Sequence, residues 1–163
     1  MKLQKNTSLA LYSVLESAAD PTRHVAAAEI AEKYGVSAHH LAKVLSELAR
    51  AGVLASVRGV GGGYRFAANP RRLTLLDVIH HFEELGPHTG DPEQGERTPA
   101  GRALVTVLSE IDEIAKATFS SITVSTMLQL IERQSRAALL ERDGAPAQAE
   151  SAGRGPAARK RRR

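Results

Sequence analysis

The stretch "AGVLASVRGVGGGYRFA", residues 51–67, places two short β-type segments on either side of three consecutive glycines. A glycine loop that binds a nucleotide lies between a strand and a helix, because the helix N-terminus supplies amides and a dipole for the phosphates. Here a second strand-like segment follows the glycines, and no Gly-Lys-Ser/Thr is present in the stretch. The pattern therefore predicts a β-hairpin, whose glycines allow positive φ and a close approach of the backbone to a partner.

A helix-turn-helix is predicted directly before this hairpin. The helix "AAAEIAEKYG" stops at Gly35, which is typical of a left-handed cap, and Ser37 is a good N-cap for the helix that follows. Apolar residues recur along this third helix at helical spacing up to its end at Gly52: Leu41, Val44, Leu45, Leu48 and Ala51. A hairpin after two such helices is the wing of a winged helix, with a plain flexible hairpin as the alternative.

Further helices are predicted on both sides of this module. The first helix covers roughly residues 7–19. Its apolar face consists of Leu9, Leu11, Tyr12, Val14, Leu15 and Ala18. A fourth helix, "LLDVIHHFEEL", follows Thr74, and Asp77 has the spacing of a capping box. After a loop rich in glycine and proline, a long helix begins with Pro99 in its first position.

The long helix carries a nearly strict apolar seam. Its residues, spaced by three and four, are Leu104, Val107, Leu108, Ile111, Ile114, Ala115 and Thr118. A seam of this kind, far from the first module, needs a partner helix, so we expect residues 104–114 to supply a dimer interface. A last amphipathic helix is predicted over residues 123–144.

Together these elements predict a mainly α fold, a winged helix-turn-helix with a two-stranded β-wing plus a long C-terminal dimerisation helix. We expect a DNA-binding domain over residues 1–85, a loop over 86–98 and dimerisation helices over 99–142. The remaining tail, 143–163, ends in "RKRRR" and has too little apolar surface to fold, so we expect it to be disordered and basic.

Composition makes nucleic acid the first partner to test. The net charge is +4, and the positive excess lies in the N-terminal module and the tail. The chain has no cysteine, which excludes disulfides and every cysteine-ligated metal within it. We expect no membrane span and no signal peptide, and hence a cytoplasmic protein. No catalytic constellation stands out, so an enzyme is not predicted.

The third helix offers candidate DNA contacts on its outward face. The N-terminal turn of such a helix reaches furthest into the groove, so His39, His40 and Lys43 are the candidates for base edges. Ser37 can contact a phosphate. Each of these can instead be a solvated surface residue, and His40 can pack like an aromatic.

The wing and the first helix supply the other candidates. Arg58 at the rim of the hairpin suits DNA, and Gly61 and Gly62 allow the backbone to approach it. Phosphate contacts from the start of the first helix are expected of Lys2, Lys5 and Thr7.

The run "LAKVLSELARAGVLASVRGVGGGYRFAANPRRLTLLDVI", residues 41–79, resembles the Rrf-type bacterial transcription regulators, and the resemblance extends over about residues 1–135. It implies a homodimer whose long helices cross, matching the seam of Leu104, Val107, Leu108, Ile111 and Ile114. It also implies that the third helix enters the major groove and that Arg58 lies in or near the minor groove.

The loop after the fourth helix departs from the cluster-binding members of that family, which carry three cysteines there. The stretch "GPHTGDPEQGERTPAG" has none, so we expect no iron–sulfur cluster and no cofactor. His80 and His81 are neighbours that point in different directions on a helix. Across a dimer, His88 and Asp91 or Glu93 could join one of them, but exposed or capping histidines are the preferred interpretation, so no metal site is predicted. A small-molecule or protein effector stays open.

The sequence thus predicts a homodimeric repressor on a palindromic operator in double-stranded DNA. Two alternatives stay open: an effector-independent, architectural DNA-binding protein, and a winged helix that binds a protein partner.

Overall fold

The computed structural model describes residues 2–59, 61–86 and 93–143, the last three of these by their backbone only. Its elements in chain order are α1 (Lys5–Ala19), α2 (Ala27–Lys33), α3 (Ala38–Arg50), β1 (Leu54–Val57), β2 (Gly63–Phe66), α4 (Leu75–His80), α5 (Pro99–Ser121) and α6 (Val124–Asp143). This order confirms the predicted mainly α, winged helix-turn-helix fold. One compact unit extends to Leu130, and the rest of α6 belongs to a second.

The core lies between α1, the helix-turn-helix and the hairpin. The inward face of α3 is apolar as predicted, with Leu41, Val44, Leu45 and Leu48 all buried. The inward face of α1 differs from the prediction. Thr7, Ser13 and Ser17 are fully buried on it, whereas Tyr12 is 44% exposed. Small hydroxyl side chains allow close packing, and Ser13 satisfies its own hydroxyl by donating to the Leu9 carbonyl at 2.7 Å.

Both helices of the helix-turn-helix end in a left-handed glycine. Gly35 has φ of 62°, and the chain closes there with bonds from Gly35 N to Glu32 O (3.2 Å) and from Val36 N to Ala31 O (2.9 Å). This pair of bonds is the Schellman motif, which satisfies the last carbonyls of α2. The same arrangement recurs at Gly52, where φ is 74°.

Strand β2 of the hairpin is hydrogen-bonded on both of its edges. β1 and β2 pair antiparallel, with Leu54 opposite Phe66 and Val57 opposite Gly63. On the other edge of β2, Tyr64 exchanges two backbone hydrogen bonds with Val25, each 2.9 Å long. The wing is therefore hydrogen-bonded to the segment that leads into α2.

Two of the three consecutive glycines are required by this packing. A Cβ on Gly63 would lie 2.6 Å from the Val25 carbonyl oxygen, and one on Gly62 would lie 2.4 Å from the Val57 carbonyl oxygen. Gly61, with φ of 77°, has no atom within 4 Å of its Cβ position. The glycine run is thus explained first by the close approach of the chain to itself.

α4 is shorter than the predicted "LLDVIHHFEEL" and ends at His80. Its start is as expected, because Thr74 and Asp77 form a reciprocal capping box. Its end tightens through a short-range bond from Phe82 N to Ile79 O at 2.9 Å.

The link between α5 and α6 is tied to the segment before α4. Leu75 N donates to Ile122 O (2.9 Å), and Val124 N donates to Leu73 O (2.9 Å). Val124 is fully buried. The C-terminal end of α5 is therefore fixed to the domain that carries the wing.

The seam on α5 lies on the surface of the single chain. Leu104, Val107, Leu108, Ile111 and Ile114 are each between 50% and 68% exposed.

None of the helices in the described parts of the chain is long and apolar enough to cross a membrane. The predicted basic tail, from residue 144 on, lies outside the described residues.

Candidate nucleic-acid interface

The N-terminal turn of α3 is a capped helix start with outward polar side chains. Ser37 Oγ accepts the His40 amide at 3.1 Å, which confirms the predicted N-cap. His39 and Lys43 are exposed and one helical turn apart. Among the described residues neither has an ion-pair partner, while Glu47, one turn further on, pairs with Arg50 at 3.2 Å. The first turn of α3 thus presents polar groups that are free to bind a ligand.

His40 lies partly inside the domain. Its Nε2 atom is buried and has no hydrogen-bond partner in the described part of the chain. The ring therefore packs inward along one edge, and only its other edge can reach a ligand. The sequence left open whether His40 contacts DNA or packs inward. In the structure its ring packs inward along one edge and is partly exposed along the other.

Arg58 lies on the surface at the tip of the wing. Arg58, Gly59 and Gly61 are all exposed. Gly62 is half-buried, and its amide donates to the Gly59 carbonyl at 3.0 Å to close the turn. Of the two glycines expected to approach DNA, Gly61 therefore has the open surroundings, whereas Gly62 is held inside the turn.

Of the three residues at the start of α1 that are expected to contact phosphates, two lie on the surface. Lys2 and Lys5 are exposed, but Thr7 is fully buried and cannot reach a phosphate. The expectation for Thr7 is wrong, because the helix begins at Lys5 and turns this residue toward the core. The Glu83 carboxylate accepts a hydrogen bond from the backbone N–H of Gln4 at 3.2 Å and so lies beside this helix start.

A polar and aromatic cluster that the sequence did not predict supports the helix-turn-helix. We call Tyr12, Glu16, Lys33 and Tyr34 the Tyr34 cluster. The rings of Tyr12 and Tyr34 stack with their centroids 4.6 Å apart and their planes 3° apart. Tyr34 Oη donates to Glu16 Oε1 at 2.7 Å, and Lys33 Nζ donates to the same oxygen.

The contacts in this cluster shift the pKa of Tyr34 and that of Glu16. Burial, with the Glu16 carboxylate next to it, raises the pKa of the Tyr34 hydroxyl well above its usual value. Burial acts to raise the pKa of Glu16 as well, but the hydrogen bonds from Lys33 and Tyr34 outweigh it and lower that pKa. Tyr12 and Glu16 are one turn apart on α1, which the sequence could have revealed, but their partners on α2 depend on the tertiary fold.

Comparison with known proteins agrees with this geometry. A family model, "Rrf2", described as an iron-dependent transcriptional regulator, matches residues 3–130. The "Putative HTH-type transcriptional regulator BadM" of Rhodopseudomonas palustris is 48% identical over 154 residues, which cover 94% of this chain and 98% of that protein.

Two solved structures are similar as well. The first is CymR of B. subtilis, described as its global cysteine regulator, with a TM-score of 0.65 and 25% identity over 80% of this chain and 98% of that one. The second is T. potens IscR, with a TM-score of 0.66 and 25% identity over 82% of this chain and 90% of that one.

The description of the matching family includes iron, and thiolates of cysteine are the usual ligands of iron–sulfur clusters. This chain has no cysteine. Within its described residues, no three His, Asp or Glu side chains lie together in a way that could hold a metal ion. His80 and His81 are exposed, while His88 and Asp91 lie outside the described residues. The side chains present do not fit a cysteine-ligated cluster.

We expect Glu16→Gln to flatten the acid limb of the pH–stability profile. The lowered pKa of Glu16 means that the unfolded chain binds its proton more readily than the folded chain. The stabilisation is therefore complete above the usual carboxyl pKa and is lost as the pH falls through the lower, folded value. Urea unfolding should show that, between roughly pH 5 and pH 3, the free energy of unfolding falls more for the wild type than for the variant.

Glu84→Gln, at an exposed carboxylate, is the matched control and should keep the wild-type slope. Parallel profiles for the wild type and Glu16→Gln would contradict the role of this carboxylate.

Proposed function

The chain belongs to the Rrf2 family of transcriptional regulators, and we propose that it is a homodimeric repressor that binds a palindromic operator. The relatives are transcription regulators rather than enzymes, and regulators of this family bind DNA and act as dimers. The observation that carries the proposal is the capped first turn of α3, where His39 and Lys43 are exposed and unpaired among the described residues. Since its target is the chromosome, we place the protein in the cytoplasm.

In this proposal α3 enters the major groove with its N-terminal turn first. Lys43 can donate to the O6 and N7 acceptors of guanine, and His39 lies one turn closer to the helix start. Ser37 uses its oxygen to cap the helix, so its hydroxyl hydrogen is free to donate to a phosphate. His40 contributes only through the edge of its ring that is not buried.

The wing contacts the neighbouring minor groove through Arg58. Its exposed position directly after β1, in a hairpin whose second strand is bonded to Val25, favours a contact of defined geometry. Gly61 is the glycine at which the backbone can approach DNA, and Gly62 supports the turn behind it. Lys2 and Lys5 add phosphate contacts, and the basic tail adds salt-sensitive attraction.

A second copy of the chain covers the seam on α5. Five large aliphatic side chains on one helix face are at least half exposed in the single chain, which favours burial against the same face of another copy. The two copies would place their α3 helices in successive major grooves about 34 Å apart. Residues 1–85 then act as the DNA-binding domain and residues 99–142 as the dimerisation helices, joined by the loop 86–98.

We propose further that the protein works without a cysteine-ligated iron–sulfur cluster. The support is chemical, because the chain offers no thiolate for such a cluster. A small-molecule or protein effector is then the alternative signal.

Footprinting on genomic DNA tests the proposal as a whole. A protected, imperfectly palindromic site next to a promoter is expected. Sequence-independent coating would favour an architectural protein instead, and failure to bind DNA would favour a winged helix that binds a protein partner.

Arg58→Ala should weaken operator binding by about 1–3 kcal/mol, because an arginine in the groove is removed. Arg65→Ala, which removes the same charge from β2 of the same hairpin, is the control and should have a smaller effect. Fluorescence anisotropy with labelled operator measures both. If both variants lost the same operator affinity, Arg58 would contribute only through its charge and not through a specific contact.

Ile111→Arg should dissociate the dimer, because it places a charge in an apolar interface where it has no partner. Thr106→Arg adds the same charge at an exposed position of α5 outside the seam and should leave the dimer intact. Sedimentation equilibrium distinguishes the two states. A dimeric Ile111→Arg protein would show that the interface lies elsewhere.

Protein purified without oxygen should show no iron–sulfur absorption and no stoichiometric iron by elemental analysis, since the chain lacks thiolate ligands. A coloured preparation with iron bound in a fixed ratio would overturn the cluster-free proposal.

A further inference from the structure

We propose that Tyr34 is a positioning residue for DNA recognition. Through its hydrogen bond to Glu16 it holds the turn of the helix-turn-helix against α1 and so sets the angle at which α3 presents His39 and Lys43. This inference rests on the proposed DNA-binding function and adds to it a residue that does not touch DNA.

The first step is the attachment of Tyr34 to α1. Its hydroxyl donates to Glu16 at 2.7 Å, and its ring lies flat on Tyr12, one turn earlier on the same helix. Stacked rings can slide over one another at little cost, whereas a hydrogen bond to a carboxylate is short and directional. The hydroxyl, together with Lys33 Nζ on the same carboxylate oxygen, therefore selects one position among those that the stack would allow.

The second step is the rigidity of the chain from Tyr34 to α3. Tyr34 is the C-cap of α2, and only Gly35, Val36 and Ser37 separate it from α3. The amides of Gly35 and Val36 are bonded back to α2, and Ser37 caps α3. No residue of this turn is free to absorb a displacement, so a shift of Tyr34 is passed on to the first turn of α3.

The third step separates orientation from folding. Ile30, Leu41, Leu45 and Leu48 hold α2 and α3 in the core, and each is at most 2% exposed. Apolar contacts of this kind dominate stability but do not fix a rotation as sharply as a directional bond does. Removal of the Tyr34 hydroxyl should therefore leave the fold in place and loosen the angle of α3.

The experiment compares Tyr34, whose hydroxyl is hydrogen-bonded to Glu16, with Tyr12, the other ring of the stack. An operator is first selected from randomised duplex DNA with the wild-type protein. Tyr34→Phe keeps the ring but loses the bond to Glu16. Tyr12→Phe makes the same chemical change in the other ring of the stack, whose hydroxyl has no hydrogen bond within the described residues.

Tyr34→Phe should lower operator affinity roughly three- to tenfold, the scale of one net hydrogen bond. Its affinity for non-specific duplex, and the slope of that affinity with salt, should stay at the wild-type values because no phosphate contact is removed. Tyr12→Phe should match the wild type in operator affinity, in non-specific affinity and in the salt slope. Glu16→Gln, which keeps an acceptor for the Tyr34 hydroxyl, should retain more operator affinity than Glu16→Ala.

Each other result has a defined meaning. Wild-type operator affinity in Tyr34→Phe would overturn the inference. A variant that fails to fold, or that loses specific and non-specific binding alike, would also overturn it, because the residue would then be structural. If the wild type selects no sequence at all, the proposed function fails first, which is a distinguishable outcome.

Discussion

Gly35 adopts φ of 62°, a left-handed conformation that costs a residue with a Cβ roughly 1–2 kcal/mol. The helix-turn-helix depends on this residue, because it reverses the chain between α2 and α3 within three residues. Two backbone bonds close the reversal, and Ser37 starts the next helix directly after it. The turn from α2 into α3, and with it the placement of the surface that we propose to face DNA, begins with this backbone conformation.

Local chemistry made most of the fold predictable. The apolar spacing of α3, the glycines at its two ends and the capping box of Thr74 and Asp77 each act through residues close in sequence, and the structure shows all of them. The inward face of α1 was harder, because close packing favours buried serines there and leaves Tyr12 outside. The bond from Tyr34 to Glu16 spans 18 residues, and no periodicity reveals such a contact.

The candidate site was predictable in its residue types but not in its detail. The sequence identified the exposed positions His39, Lys43 and Arg58, which follow from helix and hairpin geometry. It left open whether His40 packs inward or faces a ligand, and it could not reveal that Gly62 is held against the Val57 carbonyl. Both features depend on contacts between elements, and they determine which atoms remain available to a ligand.

The pairing of β2 with Val25 has a consequence for the entropy of binding. A wing without this attachment would be mobile in the free protein and would lose that freedom on binding, at about 1–2 kcal/mol for each backbone residue that becomes fixed. Here Tyr64 is bonded to Val25 and Ser56 pairs with Tyr64 from the other side. In the DNA complex that we propose, the anchored strands of the wing would therefore need little further ordering.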